Sequence, residues 1–510
     1  MFLRTPLRGF GATLAVLTLT LSACAQPGEG TGAQEVAERA DDVVAAFAPG
    51  DPTLVAGLVP TVYEDTARGV RAEVPVVTTA RRMTSAMEVL RERGLREASW
   101  DQATDVDITY RVVASGPGTL GIVVVPTWEA ESGTTTKPAL VWYDAGSKRV
   151  HTSPVLIRES AWGDFVDEMT KAADRKIKKD ELRAALADEA APQGTGPMLG
   201  FDADGNLIAH FAPGVLARKD SATVRLKADK ARPLLSDFGV RAAAASQSPS
   251  VFDGAPSPGG GTVAAEPPAE DQSATERVSA DPTTRPSTAV GPDCATLNCV
   301  ALTFDDGPGS ETPKLLATLR EAKAPATFFQ LGQMIKANPE MAKQVASGGH
   351  EVGAHSFSHP NLAQVDRARL QKEIVDNASV MEEAYGRKPM VFRPPFGSRN
   401  QTVDEIIHST GAAIIQWEVD THDWQTRDAG ATTEAAVNGK DLQAGSVVLM
   451  HDIHPSTIAA APAIVSGLQG KGVTLVTVSE LSLNAESGYR AGRAYCNGTD
   501  RAQKGAFCAG

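Results

Sequence analysis

The sequence predicts two folded parts of different class: an incomplete (β/α) barrel over residues 293–485, and a separate α+β domain over residues 36–240. Three observations lead to this prediction. After residue 293, apolar strand-like segments alternate with amphipathic helical segments, as expected for a parallel sheet. Before residue 240, such segments occur without regular alternation. Between the two parts, residues 241–292 are rich in Pro, Gly, Ser, Thr and Ala, which is typical of a disordered linker.

The first 24 residues have the pattern of an export signal. Arg4 and Arg8 precede an apolar stretch that ends in Leu21-Ser22-Ala23-Cys24 and is too short to span a membrane comfortably. This ending resembles the bacterial lipobox, which implies a lipid anchor on Cys24 and a location on the outer face of the cytoplasmic membrane, facing the cell wall. The alternative is an ordinary signal peptide with a cysteine nearby. Residues 25–35 are predicted to form a polar tether.

The composition limits the class of partner. The chain has 510 residues, enough for two hydrophobic cores, and a formal net charge of −13. It offers no basic surface for nucleic acid, so we expect no nucleic-acid partner. The acidic balance identifies no other partner, and the sequence leaves the oligomeric state open.

Four cysteines remain once Cys24 is set aside, and in an exported protein we expect them to pair. Of the three pairings, we favour Cys294–Cys299 and Cys496–Cys508, because each would fix one edge of the barrel domain. The second pair lies in a C-terminal tail over residues 486–510. A four-cysteine zinc site is the alternative, although the sequence lacks the C-x-x-C spacing typical of such sites.

The α+β domain carries predicted elements but no catalytic pattern. Helices are expected at 34–48 and 161–177, and strands at 105–115, 120–130, 137–155 and within 200–214. Segments 158–173 and 200–217 resemble the extracytoplasmic domain of lysozyme-sensing anti-sigma factors, which implies a glycan-binding or regulatory module. His151 and His210, the histidines of this domain, lie far apart in sequence.

Polar residues follow the predicted strands of the barrel. The strands are expected at 299–308, 326–332, 350–356, 389–397, 412–420, 445–452 and 473–481, with helices at 312–325, 339–349, 362–386, 402–411 and 461–472. Asp305, His355, Arg393, Asp420 and His451 fall at or just after strand ends. In a (β/α) barrel, functional sites are built at the carboxyl ends of the strands, so we expect these side chains to share one face.

A pair of histidines and a pair of aspartates at these strand ends together predict a metal site. His355 and His359 form an i, i+4 pair that a helical turn would place on one face, and Asp305 and Asp306 are adjacent carboxylates. One Asp and two His would leave open positions on the metal, as in catalytic sites. The second carboxylate would then be available to take a proton. Each pattern alone also fits a turn or a buried histidine, and only their combination favours a site.

Five segments in order carry a resemblance to a known family. "TFDDGP", "HSFSH", "RPPFG", "DTHDW" and "LMH" are similar to the five motifs of the polysaccharide deacetylases of carbohydrate esterase family four, the NodB-like domain. The resemblance covers roughly residues 294–485. It implies hydrolysis of acetyl groups on a sugar polymer, with one divalent metal ion, usually zinc, and cobalt or manganese as alternatives.

The resemblance also implies the metal and base residues. Asp306, His355 and His359 would hold the metal, and Asp305 would be the general base. Arg393 would pair with Asp305, lower its pKa and keep it ionised.

The other implied roles concern the acid and the pocket. His451 would be the general acid, and Asp423 would orient it and raise its pKa. The backbone N–H of Phe396, at a position that is often Tyr in the family, would donate to the oxyanion. Trp424 and Leu449 would wall the pocket for the acetyl methyl group. Asp420, His422 and His454 receive no role.

The motifs leave the glycan open. An exported, membrane-anchored enzyme has the cell wall as its nearest substrate, so we expect peptidoglycan, deacetylated on N-acetylglucosamine or N-acetylmuramic acid. Chitin oligomers, xylan and exopolysaccharide are the alternative substrates. The alternatives in another class are a non-catalytic surface protein that binds glycan, and a working α+β domain to which the barrel is an accessory.

Overall fold

The computed structural model describes residues 43–187, 197–216, 218–257, 284–485 and 488–496. The predicted signal peptide with Cys24, the tether and Cys508 lie outside the described residues. Across the described ranges, no helix combines the length and apolar character needed to cross a bilayer.

The N-terminal part is built on a seven-stranded sheet of order β1-β2-β3-β4-β6-β7, in which β5 also pairs with β4. The strands are β1 Leu58–Asp65, β2 Val70–Val77, β3 Asp105–Gly116, β4 Thr119–Ala130, β5 Gly133–Thr136, β6 Ala139–Asp144 and β7 Arg149–Thr152. Helix α1, Arg81–Trp100, connects the parallel neighbours β2 and β3. β1, β2 and α1 were not among the elements predicted from the sequence.

A smaller antiparallel sheet completes this part. It contains β8 Met198–Phe201, β9 Leu207–Phe211 and β10 Ala222–Leu226, and the helices are α2 Trp162–Ala172, α3 Lys179–Leu186, α4 Ala228–Ala231 and α5 Asp237–Gln247. These sheets are mostly antiparallel and share no strand with the barrel sheet, which confirms the predicted α+β class.

The C-terminal part is a curled parallel sheet of order β16-β17-β11-β12-β13-β14-β15-β19, with β18 paired to β11. The strands are β11 Cys299–Asp305, β12 Thr327–Gln330, β13 Glu351–Ala354, β14 Val391–Phe392, β15 Ala413–Ile415, β16 Val419–Asp420, β17 Val447–His451, β18 Thr474–Val476 and β19 Ala494–Tyr495. The predicted strand 412–420 is split into β15 and β16, which lie near opposite ends of the sheet. The barrel is therefore incomplete, as predicted.

Helices surround this sheet, as expected when parallel strands are joined by crossovers. They are α6 Thr312–Glu321, α7 Gly332–Ala337, α8 Pro339–Ser347, α9 Arg367–Gln371, α10 Asn377–Tyr385, α11 Gln401–Thr410, α12 Asp423–Thr426, α13 Ala429–Asn438, α14 Pro455–Gly470 and α15 Val478–Leu483. One turn of π-helix, Lys372–Asp376, separates α9 from α10. The predicted helix 362–386 is thus interrupted.

The first predicted disulfide is present. Cys294 and Cys299 are bonded, with their Cα atoms 5.4 Å apart, so the bridge fixes the segment that enters β11. Because Cys508 lies outside the described residues, the Cys496–Cys508 pairing stays a prediction.

Helix α1 packs against the barrel at the N-terminal ends of β13 and β14. Arg96 forms an ion pair with Glu480 (2.7 Å), and Arg387 forms ion pairs with Glu88 and Glu92. These groups are buried, so the pairs compensate one another's loss of water. The N-terminal part therefore covers the end of the barrel opposite the carboxyl ends of its strands.

Two glycines allow this close approach. Gly349 and Gly386 precede β13 and β14 and have φ values of +71° and +72°. A Cβ on Gly349 would lie 2.2 Å from the backbone nitrogen of Arg96, and one on Gly386 would lie 2.0 Å from the carbonyl oxygen of Val62. Any other residue would push the two parts of the chain apart.

The predicted linker 241–292 is too long at both ends. Helix α5 continues to Gln247, and Phe252 is fully buried and forms a bridge with Val55. At the other end, Thr288 accepts a hydrogen bond from Thr152 of β7. A few apolar residues and backbone pairing suffice to order these ends, despite their linker-like composition. Residues 258–283 lie outside the described residues.

Candidate active site

Neighbouring strands bring Asp305 and His451 to the same rim. Both are the last residues of their strands, and they are register partners in the parallel pair β11–β17. β11 is buried along its whole length, so its apolar residues fix the register and Asp305 emerges where the apolar run ends. His355 and Arg393 follow the ends of β13 and β14. The strand ends thus collect these predicted residues on one face.

Asp306, His355 and His359 form a group that could hold a metal ion. Their potential ligand atoms all lie within 4.8 Å of one another. Oδ1 of Asp306 is 3.5 Å from Nε2 of His355 and 3.3 Å from Nε2 of His359. Ligand atoms about 2.0 Å from a tetrahedral ion are separated by roughly 3.3 Å, so these spacings fit such an ion.

The chemistry of these side chains also fits a cation. Nδ1 of His355 donates to the carbonyl oxygen of Arg393 (2.7 Å), which leaves Nε2 unprotonated and aimed at the group. Burial lowers the pKa of His355 to about 3, so the ring is neutral. Oδ1 of Asp306 is buried and accepts no hydrogen bond from the described residues. A buried carboxylate oxygen in this state is well suited to a metal.

The two histidines are brought together by a loop, so the expected helical turn is wrong. Residues 355–359 are not helical, and Ser356 and His359 adopt left-handed φ values of 68° and 61°. Each such residue costs about 1–2 kcal/mol and needs neighbours that hold it in place. One contact is local: the Ser356 hydroxyl accepts a hydrogen bond from the His359 N–H (3.0 Å).

Arg393 and Asp305 form the predicted buried ion pair. Nη1 of Arg393 donates to Oδ1 of Asp305 and to the hydroxyl of Thr303, both at 2.8 Å, and its guanidinium carbon lies 4.1 Å from the ring centroid of Phe329. Arg393 is fully buried. Burial raises the pKa of Asp305 and outweighs the opposite influence of Arg393. The expected pairing is correct, and Arg393 lowers the pKa of Asp305 as expected, but burial has the larger effect and the net shift is upward.

His451 and Asp423 form a second coupled pair. Nδ1 and the backbone N–H of His451 both donate to Asp423, each at 2.8 Å, and the Thr457 hydroxyl donates to it at 2.6 Å. Burial of the His451 ring opposes protonation and is the largest single influence, but the hydrogen bond to Asp423 and the negative charges of the nearby aspartates together outweigh it and raise the pKa of His451. This is the predicted direction. Asp423 fixes the proton on Nδ1 and leaves Nε2 as the exchanging atom.

Phe396 and Trp424 are exposed at the rim. Phe396 has a φ of 59°, is 65% exposed, and lies edge-on to His359 with ring centroids 4.6 Å apart. Trp424 is 48% exposed and directly follows Asp423. Leu449 is buried two residues before His451, on the same face of β17. Large apolar side chains that remain exposed are typical of binding surfaces.

The three neighbours without an assigned role lie close to these groups. His422 is exposed and 3.3 Å from Asp420. His454 contacts Arg427 and has its ring 5.5 Å from that of His451. The structure adds no reactive geometry to them.

Sequence reasoning missed two buried carboxylates beside the site. Asp452 accepts a hydrogen bond from Thr312 and packs against Gly307, where a Cβ would lie 2.3 Å from its Oδ1. Burial raises the pKa of Asp452 to about 7. Its place directly after His451 was the available signal. Glu373 accepts hydrogen bonds from the loop between the two histidines, and no sequence signal links it to that loop.

The comparisons with known proteins agree with this geometry. The profile of the family described as polysaccharide deacetylase matches residues 293–415. A peptidoglycan-N-acetylglucosamine deacetylase of Bacillus cereus is 36% identical over 190 residues, which cover 36% of this chain and 87% of that protein. The chain belongs to the polysaccharide deacetylase family.

Other polysaccharide deacetylases match over the same part. The peptidoglycan-N-acetylglucosamine deacetylase PgdA of Listeria monocytogenes is 40% identical over 191 residues, 37% of this chain and 40% of that protein. The peptidoglycan-N-acetylmuramic acid deacetylase PdaC of Bacillus subtilis is 37% identical over 183 residues, 36% of this chain and 38% of that protein. The solved structure of PdaC is 33% identical, with a TM-score of 0.34, and covers 36% of this chain and 90% of that one.

These matches concern the barrel. The chain spans about two fifths of the length of the Listeria and Bacillus subtilis proteins. The resemblance of the N-terminal part to anti-sigma factors stays a prediction.

Proposed function

We propose that this protein is a metal-dependent deacetylase that removes N-acetyl groups from cell-wall peptidoglycan. The observation that carries the proposal is the arrangement around Asp306, His355 and His359. The carboxylate of Asp305, paired with Arg393, directly precedes Asp306, and the imidazole of His451, paired with Asp423, ends the neighbouring strand. Amide hydrolysis needs these parts together: a base for water and an acid for the departing amine.

The base side of the reaction belongs to Asp305. A divalent ion held by Asp306, His355 and His359 would supply Lewis acidity and lower the pKa of water. Asp305 accepts the proton of the attacking water, and its raised pKa makes it a stronger base than an exposed carboxylate. Arg393 keeps that carboxylate in one orientation through the 2.8 Å hydrogen bond to Oδ1.

The acid side belongs to His451. As the C–N bond breaks, Nε2 of His451 donates a proton to the sugar nitrogen, and acetate and a free amine leave. Asp423 holds the ring in place and favours its protonated form before this step. The backbone N–H of Phe396 donates to the tetrahedral oxyanion, and Trp424 and Leu449 enclose the acetyl methyl group.

We infer that the ion is zinc. Two imidazole nitrogens and one carboxylate oxygen form a donor set found in catalytic zinc sites, and cobalt and manganese accept similar ligands. Metal content after purification, and activity restored to the metal-free protein by each ion in turn, would distinguish the three.

The choice of peptidoglycan is supported by relatives that are named as peptidoglycan deacetylases. Acetate release by the purified two-domain protein should be measured in parallel on peptidoglycan, chitooligosaccharides and acetylated xylan, with Asp305→Asn and metal-depleted protein as controls. We expect release from peptidoglycan that is lost in both controls. Mass spectrometry of digested wall would show whether N-acetylglucosamine or N-acetylmuramic acid is modified.

Other outcomes favour the alternatives. Release from another glycan alone would retain the chemistry and overturn the substrate. Binding to glycan without release, with metal bound, would favour a non-catalytic surface protein.

We also propose that the protein acts outside the cell as a lipoprotein attached through Cys24. The proposal is supported by the N-terminal sequence and by relatives that are named for a cell-wall substrate. Replacing Cys24 with Ser should release the protein from the membrane fraction, and labelling with a radioactive fatty acid should be lost with it.

A further inference from the structure

Glu373 is a buried carboxylate tied to the loop that carries both histidines. It lies in the π-helical turn between α9 and α10 and is 2% exposed. Its Oε2 accepts the backbone N–H of Ser358 (2.8 Å), and its Oε1 accepts the Ser358 hydroxyl (2.7 Å). Its own carbonyl oxygen accepts the N–H of Phe357 (3.0 Å). A single helical residue thus holds two successive loop residues.

Arg369 completes this contact. Its Nε donates to Oε1 of Glu373 (2.7 Å), and its Nη2 donates to the hydroxyl of Ser358 (2.9 Å). The three side chains form a closed set in which Ser358 both donates and accepts. Arg369 neutralises the buried carboxylate, and hydrogen bonds to charged groups are stronger than those between neutral groups.

The loop needs such a restraint. Ser358 lies between His355 and His359, and two residues of this segment have left-handed φ values. This backbone conformation is energetically unfavourable for residues other than glycine, so neighbouring groups must hold it in place. Single turns of π-helix often occur at functional sites, where an inserted residue alters the hydrogen-bonding pattern of an α-helix. Here the turn presents both the carbonyl and the carboxylate of Glu373 to the loop.

We propose that Glu373 is a positioning residue for the metal site. By fixing Ser358, it makes His355 and His359 converge on Asp306. The inference rests on the proposed metal-dependent function, and it concerns ligand orientation, not contact with substrate. Residues that orient metal ligands typically change metal affinity by about 10- to 100-fold when they are altered.

Glu373→Gln tests this proposal. Both carboxylate oxygens accept hydrogen bonds, so the amide NH₂ of Gln must face a donor, from either Ser358 or Arg369. Ser358→Ala is a milder second variant that removes the hydroxyl link and retains the backbone one. Glu383→Gln is the matched control, since Glu383 is exposed in α10 and the change of charge is the same.

The readouts are metal binding and metal spectroscopy. Metal-free full-length protein is titrated with Zn²⁺ against a chromophoric chelator, and the visible absorption of the Co²⁺-loaded protein reports ligand geometry. The melting temperature of the metal-free protein separates loss of folding from loss of the site. For Glu373→Gln we expect a Zn²⁺ dissociation constant about 10- to 100-fold higher and an altered Co²⁺ spectrum. Ser358→Ala should be intermediate, and Glu383→Gln should match the wild type.

Each result decides the question. Wild-type affinity and spectrum in Glu373→Gln would overturn the proposal, even if the melting temperature fell, because the role would then be structural alone. Absence of metal binding in the wild type would overturn both this inference and the proposed metal dependence. Wild-type protein that binds metal tightly but releases no acetate would overturn the proposed activity alone, and the affinities would still decide the role of Glu373.

Discussion

Replacing Asp423 with asparagine removes the charge that supports the proposed acid and leaves the size of the side chain unchanged. Asp423 is fully buried and accepts hydrogen bonds from His451, Thr457 and the backbone of Trp424. A hydrogen bond to a charged group contributes about 1.5–3 kcal/mol, and each 1.4 kcal/mol is about tenfold. Protonated His451 should therefore become about 10- to 100-fold less populated at alkaline pH.

The direction of the pH effect follows from the direction in which the pKa of His451 is shifted. The pKa of His451 is raised, so the acid is present below that pKa and is lost as the pH rises through it. In Asp423→Asn this loss should begin at lower pH, so the alkaline limb of the plot of kcat against pH should shift to lower pH. Acetate release measured between pH 5 and pH 10 tests this directly.

Thr457→Val is the matched control for this experiment. It removes the 2.6 Å hydrogen bond to Asp423 and leaves the charge in place, so it should lower stability without moving the alkaline limb. An Asp423→Asn profile with an unmoved alkaline limb would refute the assignment of His451 as an acid supported by Asp423. An equal shift in both variants would attribute the effect to local disorder.

Three further predictions concern metal, docking and acid stability. Asp306→Asn should abolish both acetate release and the rise in melting temperature on adding Zn²⁺, and a retained rise would contradict the ligand assignment. Gly349→Ala should destabilise more than Gly472→Ala by at least about 1 kcal/mol in denaturant unfolding: both glycines have positive φ, but only Gly349 meets the backbone of Arg96. Burial lowers the pKa of His350 to about 3, so between about pH 6.5 and pH 3 the unfolded chain binds a proton that the folded protein does not. Over this range the free energy of unfolding should fall by roughly 1.4 kcal/mol for each unit by which the pH is lowered. His350→Leu should flatten this acid dependence, and an unchanged slope would show that other groups dominate.

The candidate site could be predicted from the sequence because the parallel strands of the barrel all end on the same side of the sheet. Asp305, His355, Arg393 and His451 are far apart in the chain, but each follows an apolar run, and parallel strands all end on one rim. The alternation of strands and helices was therefore enough to bring these four together. Contacts between elements distant in sequence needed the structure, because nothing near Glu373 indicates that it meets Ser358.

Local geometry was predicted less well where backbone conformation departs from residue preference. The 355–359 segment contains no glycine, yet two of its residues are left-handed, so an i, i+4 spacing was interpreted as a helical turn. The pKa of Asp305 depends on how deeply it is buried, and the sequence reports its partner more readily than its burial. Phe252 is the sole aromatic residue in the linker-like sequence 241–292, and its buried position depends on a partner, Val55, almost two hundred residues earlier.

Replacing the barrel of this protein with that of a relative would disturb the interface between helix α1 and the barrel. A donor barrel without Arg387 would leave the buried carboxylates of Glu88 and Glu92 with Arg91 of the same helix as their remaining ion-pair partner among the described residues. A donor barrel without glycine at position 349 would collide with the helix backbone. Two parts that look separable along the sequence therefore depend on each other at this interface. Chimaeras should function only when the helix and its barrel are inherited as one block.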